Sequence, residues 1–111
     1  MAQMHLVEIR KDVNNPKRCT ANRFQAERGD IVKFVFPGEP RSHIKFNGAS
    51  PFGESEFDLR PGPDTGVAGV AIKTVTVEGG SFEYDITWPG EGQGNGGGDV
   101  KGSRAVTAGS V

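Results

Sequence analysis

Two histidines, one cysteine and a scatter of carboxylates are the side chains of this 111-residue chain that could do chemistry. A metal centre of the copper or zinc type needs imidazoles and thiolates. His5, His43 and Cys19 together are the sharpest such combination that the composition permits. Glu54, Glu56, Asp58, Glu83 and Asp85 are the candidate acids. Paired carboxylates run acid–base chemistry when one pKa is raised by burial or by its neighbour. Glu83 and Asp85, however, fall on one side of an alternating stretch whose other side is aromatic, which marks a solvated face. Ser42 and Ser81 lack the Gly-x-Ser-x-Gly setting of a nucleophile. No triad can be assembled, so no catalytic residue is assigned and the chain is not expected to be an enzyme.

Two short motifs also invite a functional reading. Gly92, Gly94 and Gly97 satisfy G-x-G-x-x-G. A phosphate cradle needs a strand before that motif and a helix after it, with the helix N-terminus facing the anion. The residues after Gly98 are β-like and interrupted by glycine, so residues 90–98 are expected to be a flexible Gly-rich loop. Arg28-Gly29-Asp30 matches an adhesion tripeptide. Its simpler reading is a tight turn, in which glycine supplies a positive φ at no steric cost.

The elements that would position these residues must come from a chain with 17 glycines, 7 prolines and a formal net charge of −1. That charge balance excludes a dedicated nucleic-acid surface, which needs a basic excess. Residues 10–28 are locally basic, through Arg10, Lys11, Lys17, Arg18, Arg23 and Arg28, and read as ordinary solvated charge. A single cysteine forbids an intrachain disulfide. No run approaches the ~20 apolar residues that span a bilayer as a helix. The start, MAQMHLVEIR, has no apolar h-region. With Met1 native the protein is expected in the cytoplasm, and with a signal peptide removed it is exported. A chain of this length suits one domain, 1–111, able to bury about two-thirds of its unfolded surface without cross-links.

No window holds a helical repeat of apolar residues for three turns, whereas alternation is common. Residues 4–9 (MHLVEI) read as a strand, 10–17 as a turn, and 18–28 as extended around Cys19 and Phe24. Residues 31–36 (IVKFVF) are near-continuously apolar, as in a central buried strand. Residues 43–46 (HIKF) form a strand that ends at the turn pair Asn47-Gly48. A short extended piece lies near 56–59, and a strand with a register shift near Lys73-Thr74 runs over 70–78. Residues 81–88 alternate cleanly, with Phe82, Tyr84, Ile86 and Trp88 on the inward side. A last strand over 99–108 runs through Val100 and Val106. Seven to eight short strands in one domain predict an all-β Greek-key β-sandwich. Phe24, Phe34, Phe36, Phe46, Phe82, Tyr84 and Trp88 are its expected core, joined by Cys19.

The order of these landmarks resembles the cupredoxins, the plastocyanin- and azurin-like blue-copper domains. Phe24 stands five positions before Gly29-Asp30, which opens an apolar strand, and His43 lies fourteen residues past Gly29. Gly80-Ser81-Phe82-Glu83-Tyr84 then matches the family's Gly-x-aromatic-x-aromatic segment. The resemblance covers about residues 21–94 and implies a cupredoxin-like sandwich. It also implies where copper ligands would stand. His43 falls on the first ligand position, Ile86 on the cysteine position, Pro89 on the second histidine and Gly94 near the axial methionine. A type 1 site needs a thiolate and two imidazoles. The resemblance therefore implies a domain without that copper site, with no cofactor and with no metal ligand beyond the retained His43.

The expected function is that of a non-enzymatic binding or structural module. Its contacts would lie on the loops 37–43 and 88–98, with His43, Trp88 and Pro89 as contact residues and another protein or a small ligand as partner. The alternative is a metal-binding or electron-transfer-associated protein that uses His43 with non-standard ligands.

Overall fold

The computed structural model describes residues 2–64 and 66–101. They form nine strands and no helix: β1 (Met4–Asp12), β2 (Asn15–Ala21), β3 (Phe24–Glu27), β4 (Ile31–Phe36), β5 (His43–Phe46), β6 (Glu56–Asp58), β7 (Gly69–Thr74), β8 (Gly80–Trp88) and β9 (Gly92–Lys101). Hydrogen-bonded neighbours run β6-β5-β8-β9-β2-β1-β4-β7, with β3 also on β9. The sheet folds over on itself through β1. The first half of β1, from Met4 to Glu8, pairs in parallel with β4. Its second half, from Ile9 onward, pairs antiparallel with β2. One layer is thus β1-β4-β7, and the other is β2/β3-β9-β8-β5-β6.

Between the layers lies the core. Val7, Ile9, Val32, Phe34, Phe36, Ile44, Tyr84 and Ile86 are each 0 % exposed, and all stand at alternate, inward positions of their strands. Phe34 of β4 meets Tyr84 of β8 edge-on, with ring centroids 5.7 Å apart, which locks one layer to the other. All seven aromatic residues expected inside are inside, and Phe52 and Phe57 join them from the long connection between β5 and β7. The near-continuous apolar run of β4 has a different cause from the one expected. Only Val32, Phe34 and Phe36 are buried, while Ile31, Lys33 and Val35 are half-buried on the outer face. The expected strand over 70–78 ends at Thr74, and Val75 then enters the core from an irregular segment.

The largest departure from the sequence reading is β9. The expected loop over 90–98 holds only at its first two residues, Gly90 and Glu91, which turn the chain with φ of 93° and 66°. From Gly92 the chain is strand. It pairs antiparallel with the whole of β8 and in parallel with β2 and then β3. The register explains the glycines. Trp88 lies opposite Gly92, Ile86 opposite Gly94, Tyr84 opposite Gly96 and Phe82 opposite Gly98. A Cβ on Gly92 would fall inside the Trp88 indole, and one on Gly98 would meet the Phe24 ring. A Cβ on Gly96 would come within 2.5 Å of the Tyr84 hydroxyl oxygen, and one on Gly94 would strike Cys19. The aromatic side chains of the neighbouring strands occupy the volume that β9 leaves empty. The expected last strand therefore begins seven positions early, and its end over 102–108, with Val106, lies outside the described residues.

Candidate functional site

His43 is the first residue of β5, where the alternation that sends Ile44 and Phe46 inward leaves it facing out. Antiparallel pairing with β6 sets it opposite Asp58, with Glu56 two residues away on the same face. Its Nδ1 lies 2.7 Å from Asp58 Oδ1 and its Nε2 lies 2.8 Å from Glu56 Oε1. Arg60 closes the row, with a nitrogen 3.1 Å from Asp58 Oδ2. The hydrogen bond to Asp58 raises the His43 pKa, partial desolvation opposes the rise, and Glu56 adds to it. The bond from His43 in turn lowers the Asp58 carboxyl. With a carboxylate within hydrogen-bond distance of each ring nitrogen, the surroundings favour the protonated ring more than water does. A metal needs a ring nitrogen with a free lone pair, so it would have to displace one of these carboxylates.

The other positions highlighted by sequence offer no donor beside it. Ile86 is fully buried and faces the core. Pro89 is exposed in the β8–β9 turn, and Gly94 has no side chain. Cys19 is 5 % exposed and packed against Gly94. Desolvation pushes its thiol up to about 11, with Arg18 pulling partly the other way. A thiol in that state is neither nucleophile nor ready ligand at neutral pH. Cys19, Gly94, Ile86 and Ile44 lie in one row across β2, β9, β8 and β5. Three strand spacings, about 14 Å, therefore separate Cys19 from the strand that carries His43.

His5 is elsewhere again. Its Nε2 lies 2.8 Å from Asp30 Oδ2. Asp30 also accepts the backbone N–H groups of Gln3 at 3.1 Å and Glu27 at 3.0 Å. Burial pushes the Asp30 carboxyl up, but these three hydrogen bonds outweigh it and the net shift is downward. Asp30 is 6 % exposed, so the Arg-Gly-Asp turn keeps its carboxylate inside the fold instead of displaying it. The combination of His5, His43 and Cys19 is therefore not brought together. Among the described residues no group of three His, Cys, Asp or Glu side chains could hold a metal ion.

Trp88, expected both among the core aromatics and as a contact at the end of its strand, packs in the core. It is 8 % exposed, packs edge-on against Phe36 with ring centroids 4.9 Å apart, and rests in the hollow over Gly92. The Lys11 ammonium sits 5.9 Å from its ring centroid, near the limit of cation–π attraction. Lys11 is also ion-paired with Glu39. These contacts gather the β1–β2 turn, the loop after β4 and the end of β8 at one end of the sandwich. Ser42 is fully buried there and donates its hydroxyl to the Glu39 carbonyl at 3.2 Å. Gly69 supplies the clearance, since any Cβ at that position would strike the same carbonyl. An open groove of about 400 Å³ lies alongside, lined by Glu8, Ile9, Arg10, Lys11, Val13 and Pro37. Val13 is 93 % exposed at its rim.

One polar network carried no sequence signal. Arg23, between β2 and β3, donates to Asp99 at 3.0 and 2.9 Å, to Glu83 at 2.7 Å and to Ser81 at 3.2 Å. It clasps β8 and β9 from the outside, and it holds the Asp99 carboxyl down to about 2, with Ser81 helping. Glu83 is thus an exposed structural partner, and Asp85 is simply exposed. The partners of Arg23 lie 58 to 76 residues away in sequence, so only the fold brings them together.

No protein-family model matches the chain, and no curated protein matches it. No helix among the described residues is long and apolar enough to cross a membrane. Among solved structures, a pseudoazurin from Sinorhizobium meliltoi is similar to this chain, with a TM-score of 0.54 and 20 % sequence identity over 88 % of this chain and 73 % of that one. At that identity the likeness speaks for the fold, and the fold is an all-β, cupredoxin-like β-sandwich.

Proposed function

We propose that this chain is a non-enzymatic binding module on a cupredoxin-like scaffold, without a type 1 copper centre. In this reading it meets another protein or a small ligand at the end of the sandwich where Pro37, Gly38, His43 and Pro89 lie. The observation that carries the reading is the pairing of both His43 ring nitrogens with carboxylates, Asp58 at 2.7 Å and Glu56 at 2.8 Å. A ligand histidine keeps one nitrogen for the metal and gives only the other to a carboxylate. Ile86, Pro89 and Gly94 add no donor, which supports the same conclusion. Trp88 serves this end from beneath, as a rigid floor against Phe36.

Anaerobic titration with Cu(I), Cu(II) and Zn(II), followed by absorbance and melting temperature, tests the reading. The expected result is no saturable binding. Stoichiometric binding that disappears in His43→Ala would overturn it and establish His43 as a ligand with non-standard partners. The location is tested by Pro37→Glu combined with Pro89→Glu, which should abolish recovery of a co-purifying partner without moving the melting temperature. Undiminished recovery would place the contact elsewhere.

A further inference from the structure

At the end of the sandwich opposite Pro37 and Pro89, where β4 starts and β9 finishes, a cavity of about 190 Å³ opens between β1 and β3. Gln3, His5, Gln25, Glu27, Asp30 and Lys101 line it. Its fixed point is the buried Asp30. That carboxylate accepts the Gln3 N–H on Oδ1, and its Oδ2 meets both the Glu27 N–H and His5 Nε2. Backbone donors on both oxygens favour the ionised form, and an ionised carboxylate can only accept from the imidazole. His5 Nε2 therefore carries a proton, and the neutral ring presents Nδ1 as a bare acceptor. Among the described residues Nδ1 has no partner.

Two opposite charges stand beside that acceptor. Glu27 and Lys101 are register partners on β3 and β9, so their side chains leave the layer on the same side. No ion pair joins them, and among the described residues neither has one elsewhere. Lys101 acts only at a distance on Asp99, which Arg23 and Ser81 already hold. The side-chain amides of Gln3 and Gln25 make no hydrogen bond among the described residues.

We propose that this cavity binds a small amino acid, with the ligand's ammonium group on Glu27 and His5 Nδ1 and its carboxylate on Lys101 and the two glutamine amides. The lining selects that class. A simple anion would face the Glu27 carboxylate and the lone pair on Nδ1. A simple amine would face the Lys101 ammonium. A zwitterion answers both charges at once. A metal ion would find too few donors, since no group of three His, Cys, Asp or Glu side chains among the described residues could hold one. Pockets for drug-sized ligands hold about 300–1,000 Å³, so the smaller volume here suits a ligand of a few non-hydrogen atoms. The site lies at the other end of the fold from the contact surface proposed above, and neither depends on the other.

Titration of the full chain with glycine and with β-alanine, followed by heteronuclear NMR, tests the proposal. For at least one of the two, saturable shifts are expected at the amides of His5, Glu27 and Lys101, with a dissociation constant of about 0.1–10 mM, as suits so small a ligand. Ethylamine and propionate carry one charge each and should bind at least about tenfold more weakly, equivalent to about 1.4 kcal/mol. Glu27→Gln and Lys101→Gln alter exposed side chains. Each should weaken binding about tenfold or more and leave the melting temperature unmoved. Nitrogen NMR at about pH 8, where an ordinary histidine is neutral, should find the His5 proton on Nε2 and none on Nδ1. No saturable shift with either amino acid overturns the proposal. So does ethylamine or propionate binding as tightly as the amino acid, so does binding indifferent to both variants, and so does a proton on Nδ1 in the neutral ring.

Discussion

Replacing the inward glycines of β9 with alanine tests the fold at the point where sequence and structure part. Gly92, Gly94, Gly96 and Gly98 each face a large side chain, and the atoms a new Cβ would meet are Trp88 ring atoms, Cys19 Sγ and carbonyl, the Tyr84 phenol end and the Phe24 ring. Trp88 and Phe24 are wedged in the core at 8 % and 2 % exposure, so neither ring has room to step aside. Over-packing of a filled core costs about 1–3 kcal/mol. Alanine also removes freedom from the unfolded chain, which stabilises by about 0.4–1 kcal/mol where the native backbone tolerates it. The two effects have opposite signs, and which one dominates depends on whether the segment is packed. In a flexible loop all four substitutions would be neutral or stabilising. In the strand described, Gly92→Ala and Gly98→Ala should each cost about 2 kcal/mol net, near the middle of the over-packing range. Gly96→Ala should cost less, because the blocking atom is the far end of Tyr84. For a domain near this size each kcal/mol lowers the melting temperature by about 4–8 °C. Gln93→Ala and Asn95→Ala, on the outward side, should stay within about 0.5 kcal/mol of wild type. Thermal and urea unfolding read all of these. A rise in melting temperature for Gly92→Ala or Gly98→Ala would refute the pairing of rings with glycines.

Two more outcomes concern polar groups. His43 has a raised folded pKa, so its contribution is fully present below its unfolded value and is lost as pH rises through the folded one. Asp58 is lowered, so its contribution appears above its unfolded value and is lost as pH falls through the folded one. The cluster should therefore stabilise most between about pH 4 and 6.5, the unfolded values of the two groups. Both carboxylates are half exposed, so the whole effect should be about 1 kcal/mol or less. Melting temperature should fall as pH rises above the ordinary histidine range, and His43→Gln should flatten that slope; an identical slope in the variant would show that His43 is not the titrating group. Tyr84 is fully buried, and its hydroxyl has no hydrogen-bond partner among the described residues. Tyr84→Phe should therefore be neutral or stabilising by up to about 1 kcal/mol, and a clear loss in urea unfolding would reveal a partner for that hydroxyl.

How much the sequence disclosed depends on where each signal resides. Strands β5 and β8 were legible because their own side chains alternate, and β4 because its run is apolar almost throughout, and the core aromatics came with them. The turn at 28–30 was legible because Gly29 takes a φ of 92° there. Strand β9 was not legible, because glycine has no side chain to alternate. Its signal is written on its neighbours, in Trp88 and Tyr84 of β8, Cys19 of β2 and Phe24 of β3. Trp88 was read both as a core ring and as a contact at the strand end, and the hollow that receives it, which belongs to Gly92 across the sheet, left no mark near Trp88 in the sequence. His43 was found, but its partners Glu56 and Asp58 depend on the β5–β6 register, which a three-residue edge strand scarcely announces. The apolar outer face was hidden in β4, where a run of apolar residues reads as burial on both sides even though one side is open.

The place of β9 also governs the order in which this sheet can be completed. It is the central rail between β8 on one side and β2 and β3 on the other, yet it is synthesised after all of them. Until it emerges, β8 and β2 each hold out a row of unpaired N–H and C=O groups, the condition under which strands recruit other chains. The newcomer brings almost no side-chain surface of its own to drive docking. Its register must be taken from the rings already in place, as a blank key takes the profile of its lock. A chain halted just before residue 92 is therefore the species most exposed to strand pairing between molecules, and translation through the glycine run is the step that ends the danger.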